Sequence, residues 1–406
     1  MSARLLGLLL VLLILPTALP AAEDFAAMRR QVLSLGDLTT APARYPAEGF
    51  EAAGGLEPIF FEGLPWNGKP TRVFAWLGMP PERDGKAPGI VLVHGGGGTA
   101  FREWVEKWTV RGYVAISIAV EGQTDRAEAV PAGARRSWKR HRWAGPARDR
   151  IYGDTSQPLQ DQRMYHAVAD TVLANSLLRS LPEVDASKVG VTGISWGGVI
   201  TSTVIGIDPR FAFAIPTYGC GHMYDAANRW GEELRGNRTY REVWDPMLRM
   251  DRVRIPVLWL SWPGDTFPLD CQAACYRAAP GPRMVSLIPG MKHSHRAGWN
   301  PPDSYAFADS VVREGGPWLE QGEVDLADGR VRVEFSSARP LGSAALVWTV
   351  DTGFTGSREW TETPAALAME GGRWRVTADL PDRATAWFVN VRSGDLTGSS
   401  DYQEIR

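Results

Sequence analysis

The amino-acid sequence predicts an α/β protein: a mostly parallel sheet with helices on both faces, followed by a small C-terminal β-sandwich. Three observations predict it. Between residues 89 and 312, apolar runs of strand length alternate with stretches of helical length, the pattern of a parallel sheet with crossover helices. Runs such as Gly89-Ile-Val-Leu-Val-His94 are apolar throughout rather than alternating, as strands covered on both faces are. Beyond about residue 322 the helical stretches stop, and period-two alternation takes over, which points to a separate all-β unit.

The elements follow in order. Residues 59–62 and 72–77 are rich in β-branched and aromatic side chains, with the turn pair Asn67-Gly68 between them. They predict a hairpin with a loop longer than two residues, adding antiparallel strands at the sheet edge. Strands are then expected at 89–94, 113–120, 189–194, 211–217, 256–261 and 283–288. Helices are expected at 101–111, 161–181, 197–207, 269–278 and 304–312, with the second ended near Pro182. The stretch from 218 to 254 reads as irregular and partly helical. In the tail, Val331-Arg-Val-Glu-Phe335 alternates, and 345–350, 373–377 and 386–391 read as further strands. The expected organisation is a segment 1–22 that is removed, a main domain at 23–320 and a β-sandwich at 321–406.

Composition narrows the function classes. The chain has 406 residues, 44% hydrophobic and 22% charged, with a net charge of −2. It is globular, and its overall charge argues neither for a nucleic-acid partner nor for a membrane surface. The N-terminus carries Arg4, then an apolar run at 5–15 that is too short to span a bilayer, then Pro16 and small residues through Ala22. That order predicts a cleaved export signal and a periplasmic or secreted protein, with no stable membrane insertion. Cys220, Cys271 and Cys275 are the three cysteines. An odd number leaves at least one thiol unpaired within the chain, and no zinc-type spacing accompanies them. The 17 tryptophans offer flat faces that suit sugar rings, although aromatic rings more commonly fill cores.

The chemistry concentrates at Gly193-Ile-Ser195-Trp-Gly197. The motif alone is short and common. Here an expected strand runs into it and an expected helix leaves it, the context of a nucleophile elbow that lifts a serine hydroxyl above the sheet. The earlier strand at 89–94 ends in His94-Gly-Gly-Gly-Gly98. Glycines let backbone amides approach a ligand, so Gly96 and Gly97, with the amide of Trp196, are the candidate oxyanion donors. The loop has neither the lysine spacing nor the helix start of a phosphate-binding loop.

A serine nucleophile needs a base, and there are six histidines. His94 belongs to the glycine loop, His141 to a basic stretch and His166 to a helix. His222 comes too early for the chain order serine, acid, histidine. His293 and His295 remain, after the last apolar strand. The short exit Ile288-Pro-Gly-Met-Lys-His293 favours His293, with His295 the alternative. The orienting carboxylate is Asp265, in the loop after the strand at 256–261. Asp270 is the alternative, but it opens a helix, where an acid has a structural use. Such a site needs no metal and no organic cofactor. Residues 135–150 are dense in Arg, with Trp138 and Trp143 among them. They read either as a solvated face or as a recognition surface for an anionic or sugar substrate.

Taken together, the glycine loop, Met164-Tyr-His-Ala-Val-Ala-Asp170, Gly193-Ile-Ser-Trp-Gly-Gly198, Tyr218-Gly-Cys-Gly221, Gly264-Asp-Thr-Phe-Pro268 and Met291-Lys-His-Ser-His295 resemble the α/β-hydrolase superfamily. The likeness is to its dienelactone hydrolase, acetyl xylan esterase and prolyl-oligopeptidase branch. Trp348-Thr-Val-Asp-Thr-Gly353 and Arg358-Glu-Trp360 extend it to the β domain of secreted bacterial esterases. The resemblance implies ester hydrolysis through an acyl-enzyme, with a carbohydrate or small-molecule ester as substrate. A prolyl-oligopeptidase-type peptidase and a non-catalytic carbohydrate-binding protein are the alternatives. The peptidase branch carries a propeller before the hydrolase domain, and the stretch before the hairpin is far too short for one.

Overall fold

A computed structural model describes residues 24–82, 84–131 and 137–405. The expected export signal therefore lies outside the described residues. After helix α1 (Phe25–Leu33) the chain enters a large sheet through β1 (Arg44–Pro46), β2 (Leu56–Trp66) and β3 (Lys69–Gly78). The hairpin loop between β2 and β3 is shorter than expected. A register shift between Gly63 and Trp66 carries the pairing on to Trp66 and Lys69, leaving only Asn67 and Gly68 in the turn. Both have positive φ, 49° and 71°, the conformation that a two-residue hairpin turn with strand-matching twist requires.

The alternation predicted from apolar runs follows. β4 (Ala87–Val93), helix α2 (Arg102–Thr109) and β5 (Val114–Ile118) lead to a small ribbon of β6 (Gln123–Ala127) and β7 (Trp138–Arg140). Then come α3 (Arg163–Ser180), β8 (Val184–Ile194), α4 (Trp196–Val204), β9 (Ala214–Thr217), α5 (Arg229–Leu234), β10 (Val257–Ser261), α6 (Leu269–Ala278) and β11 (Arg283–Leu287). Helices α7 (His295–Trp299) and α8 (Pro302–Asp309) close the set. The strands lie in the order β1-β2-β3-β5-β4-β8-β9-β10-β11, with β5 to β11 mutually parallel and β1 to β3 antiparallel. Strands β4, β5, β9 and β10 are buried along nearly their whole length, which is why they read as continuous apolar runs. The chain order reverses at β4, whose neighbours are β5 and β8. The loops after β4 and β8 thus lie side by side at the carboxyl ends of the strands, where open α/β sheets bind ligands.

The tail is all-β, as expected. It comprises β12 (Leu319–Ala327), β13 (Arg330–Ser337), β14 (Ser343–Thr349), β15 (Thr361–Glu370), β16 (Arg373–Asp379), β17 (Ala386–Ser393), β18 (Leu396–Ser399) and β19 (Gln403–Glu404). It is not set apart as a distinct sandwich. β15 pairs with β14 through its first half and with β16 through its second, and β18 pairs antiparallel with β11 at the edge of the central sheet. One mixed sheet with flanking helices therefore runs into the tail. Polar contacts lock the junction: Leu287 donates from its amide to Ser399 Oγ at 2.8 Å, and Asn390 Nδ2 donates to the Leu287 carbonyl at 3.0 Å. The tail also reaches under the loop that carries Asp265. The Leu269 amide donates to Thr355 Oγ1 at 2.9 Å. Gly356 lies so close that a Cβ there would sit 2.1 Å from the Asp265 carbonyl oxygen.

Asp303, on α8, joins the same seam. Its Oδ1 accepts from the Thr397 amide at 2.7 Å and from Ser286 Oγ at 3.1 Å. Burial pushes its carboxyl up to about 6, against the opposing pull of these two donors. The unfolded chain releases this proton near pH 4, so between about pH 4 and 6 only the folded state retains it. Stability is then highest below that window and falls as pH rises through it. Two pH units at 1.36 kcal/mol each make the fall about 3 kcal/mol. Asp303→Asn is expected to flatten the stability–pH curve by that amount in urea melts from pH 4 to 7. An unchanged slope would acquit Asp303.

Cys220, Cys271 and Cys275 are all free and buried. Burial is the main cause that raises each thiol above its usual range. No helix among the described residues is long and apolar enough to cross a membrane.

Candidate active site

Ser195 is the single residue between β8 and α4, at φ 59° and ψ −116°. That conformation is strained for an L-residue and turns the chain sharply from strand to helix. The flanking glycines make the turn possible. A Cβ on Gly193 would lie 2.1 Å from the Gly197 carbonyl oxygen, and one on Gly197 would lie 2.0 Å from that of Val93. Backbone stands in the way on both sides, so neither clash can be relieved by a side-chain rotation. Gly197→Ala is expected to cost on the order of 3 kcal/mol of stability, read as a fall in the thermal midpoint. A variant melting with the parent would show that the turn can open.

Of the two candidate bases, His293 is the one brought to Ser195. The Ser195 hydroxyl donates to His293 Nε2 at 2.8 Å, and His293 Nδ1 meets Asp265 Oδ2 at 2.8 Å. A carboxylate only accepts, so the proton on the ring belongs on Nδ1 and Nε2 is left to accept. Asp265 is 1% exposed and has two further donors: Trp262 Nε1 to Oδ2 and the Phe267 amide to Oδ1, both at 2.8 Å. His295 is held by the glycine loop instead. Its Nε2 accepts from the Gly95 amide at 2.9 Å, and its ring packs on Phe101. Lys292, at φ 65°, turns the chain just before His293. Asp270 sits in the first turn of α6.

The glycine loop is pinned from within. The Val120 amide donates to His94 Nε2 at 3.1 Å, so Nδ1 carries the proton to the Gly95 carbonyl at 2.7 Å. Complete burial lowers the His94 pKa and keeps the ring neutral, although Glu121 opposes this. Gly96 faces the same cleft as Ser195 and Trp196. A Cβ on Gly96 would meet Arg148 Nη1 at 2.1 Å, so the missing side chain makes room for a guanidinium. Gly97 turns away. Its amide donates to Glu121 Oε2 at 3.4 Å, and it borders the neighbouring hollow with Arg148 and Arg140.

The cleft over Ser195 has a volume of about 490 Å³. A run of stacked rings backs it, with Trp196, Trp230 and His293 at its lining. Trp196 stacks on Trp230 with centroids 5.9 Å apart, Trp230 on Phe267 at 5.0 Å, and Phe267 on His293 at 5.9 Å. Tyr218 covers His293 from another side at 4.5 Å, and its hydroxyl donates to the Lys292 carbonyl at 2.7 Å. Burial, then the Asp265 charge, raises the Tyr218 pKa, which keeps it a neutral donor. Trp230, Phe267, Tyr218 and Trp262 were not legible as site residues. Tyr218 and Phe267 alone carried a signal, their places in the Tyr-Gly-Cys-Gly run after β9 and in the Gly-Asp-Thr-Phe-Pro run at 264–268.

The fold and the chain order of these groups define the class: the protein has the fold of the α/β-hydrolase superfamily, and its fold and likeness are consistent with a serine hydrolase of the esterase kind. Within that superfamily it resembles the branch of acetyl xylan esterases, dienelactone hydrolases and prolyl-oligopeptidase-like enzymes. The acetyl xylan esterase (AXE1) family model matches residues 59–252. Acetyl xylan esterase 1 from Thermoanaerobacterium sp. JW/SL YS485 superposes at a TM-score of 0.52 with 19% identity, covering 68% of this chain and 90% of its own. An acetyl xylan esterase from Paenibacillus sp. R4 is 21% identical over 68% of this chain and 91% of its own, at a TM-score of 0.48. A puromycin-hydrolyzing peptidase from Mycobacterium tuberculosis is 20% identical over 66% of this chain and 41% of its own, at 0.47.

Proposed function

We propose that the protein is an exported carboxylic-ester hydrolase that removes acetyl groups from carbohydrate esters, with Ser195 as nucleophile, His293 as base and Asp265 as its orienting acid. The observation that carries the reading is the pair of 2.8 Å contacts from Ser195 to His293 to Asp265. Ser195 Oγ attacks the ester carbonyl as its proton passes to His293 Nε2. Asp265 stabilises the imidazolium through Nδ1–H. The tetrahedral oxyanion is held by the amides of Gly96 and Trp196, the latter at the start of α4. Gly97, whose amide is engaged by Glu121, is a poorer donor. Collapse expels the sugar alcohol, which takes the proton from His293. Water then repeats the sequence on the acyl-enzyme, releasing acetate and restoring Ser195.

The AXE1 match and the aromatic wall of the cleft support an acetylated sugar as substrate. The apolar run at 5–15 supports export. The strands after residue 320, continuous with the central sheet through β18, buttress the acid loop. The test is a panel of acetylated xylo-oligosaccharides, aryl acetates and peptide amides. Acetate release from the sugars is expected, and cleavage of the peptides alone would replace the esterase with a peptidase.

A further inference from the structure

The basic stretch that follows the glycine loop has no part in the chemistry above. Its described residues build a surface beside it. β6 and β7 form a ribbon against the loop, tied by Trp138 Nε1 donating to the Gly97 carbonyl at 3.1 Å. Three hollows adjoin along this surface. The first is the cleft over Ser195, bordered by Arg148, Arg150 and Arg229. The second, about 250 Å³, shares Arg148 with the first and adds Arg140. The third, about 500 Å³, shares Arg140 with the second and adds Arg72, Arg126, Lys139 and Arg142 among aromatic rings.

Eight basic side chains line these hollows against three carboxylates, Glu233, Glu121 and Glu48, although the whole chain carries a net charge of −2. Arg148 has an ion-pair partner, Glu121 at 3.7 Å. The other seven pair with no carboxylate among the described residues. Rings hold several of them in place. The Arg72 guanidinium lies 3.6 Å from the Tyr45 centroid and 4.3 Å from that of Trp143. Arg142 stacks on Trp143 at 3.9 Å, and Arg126 on Phe50 at 4.3 Å. A stacked guanidinium keeps its edge donors in plane, the geometry that receives carboxylate or sulfate oxygens. Clustered like charge also raises the potential of the surface, and an anionic ligand relieves it.

We propose that the three hollows are one trough and that it takes a segment of an acidic polysaccharide, with its sugar-borne anions on the arginines and its acetyl ester at Ser195. This rests on the esterase reading of Ser195 and extends it to the substrate class.

The experiment uses the full chain and compares acetylated oligouronides, acetylated sulfated oligosaccharides and acetylated xylo-oligosaccharides of equal length. kcat/KM is expected to be at least tenfold higher on an acidic series than on the neutral one, and to lose that advantage in 0.5 M NaCl, where screening is strong. The two acidic arms tell carboxylate from sulfate. The exposed pair Lys139→Glu with Arg142→Glu should lower the ratio of acidic-polymer to p-nitrophenyl acetate kcat/KM at least tenfold, through KM. Lys188→Glu, remote from the trough, should leave that ratio unchanged. Equal rates on neutral and acidic series, an unaltered ratio in the double variant, or competition by single-stranded DNA as effective as by the acidic sugar would each overturn the trough. Ser195→Ala protein on immobilised oligouronide separates the two readings. Salt-sensitive retention without acetate release from any ester by the parent protein keeps the trough and removes the esterase. Aryl acetate hydrolysis without retention does the reverse.

Discussion

Ser195→Ala is expected to abolish acetate release, with a fall in kcat of about 10⁴- to 10⁶-fold, and to abolish labelling by a fluorophosphonate. The size follows from how the site divides its work. Without the hydroxyl no acyl-enzyme forms, and His293 is left to activate water at a position the elbow does not shape. What survives is the contribution of the oxyanion amides and of substrate binding, which is modest without a nucleophile. The fold should be untouched, because the Ser195 side chain makes one hydrogen bond, to His293. Its strained backbone conformation suits alanine no worse than serine. A variant with the parent's melting temperature and no turnover is therefore the expected pair of results. Turnover within tenfold of the parent would move the nucleophile elsewhere.

Asp265→Asn is expected to cost about 10⁴-fold in kcat while leaving aryl ester binding nearly intact. Asp265 is surrounded by three donors: His293 Nδ1 and Trp262 Nε1 at Oδ2, and the Phe267 amide at Oδ1. An asparagine keeps its carbonyl oxygen for one side and must place its NH2 on the other. If the NH2 takes the Oδ2 position, it faces the His293 and Trp262 donors, and the ring escapes by moving its proton to Nε2. That nitrogen then points a proton at Ser195 and can no longer accept one. Flipping the amide saves the tautomer but sets NH2 against the Phe267 amide. The flipped form should appear as residual activity, and the conflict in either form as a loss of 1–3 kcal/mol in stability. Near-parent kcat in a folded variant would dismiss Asp265 as the orienting group.

Much of this was legible in the sequence, for reasons that also mark where legibility stopped. The strands around the switch point are buried on both faces, so their apolar runs announce them. The elbow is legible because the steric demand for glycine falls at fixed offsets from Ser195. The base was narrowed to two histidines but not to one. Two residues apart in a loop, they share every sequence property, and only the folded chain, with Ser294 capping α7 between them, sends one to Ser195 and the other to the Gly95 amide. Helix α1 and the ribbon of β6 and β7 were not anticipated, since short elements in polar sequence have little periodicity to read. The tail was read as all-β from its alternation. Its merger with the central sheet rests on one paired position, Val285 with Ser399, a contact between residues far apart that no local pattern records.

The close seat of Gly356 on the Asp265 backbone has an implication for how this protein can be cut or recombined. A chain stopped near residue 320 would keep every reacting group yet lose the floor beneath its acid. The loop bearing Asp265 would then drift, and the imidazole with it. The last fifth of the chain is thus not cargo to be exchanged for another module, because the arrangement of Ser195, His293 and Asp265 is partly held in place from there.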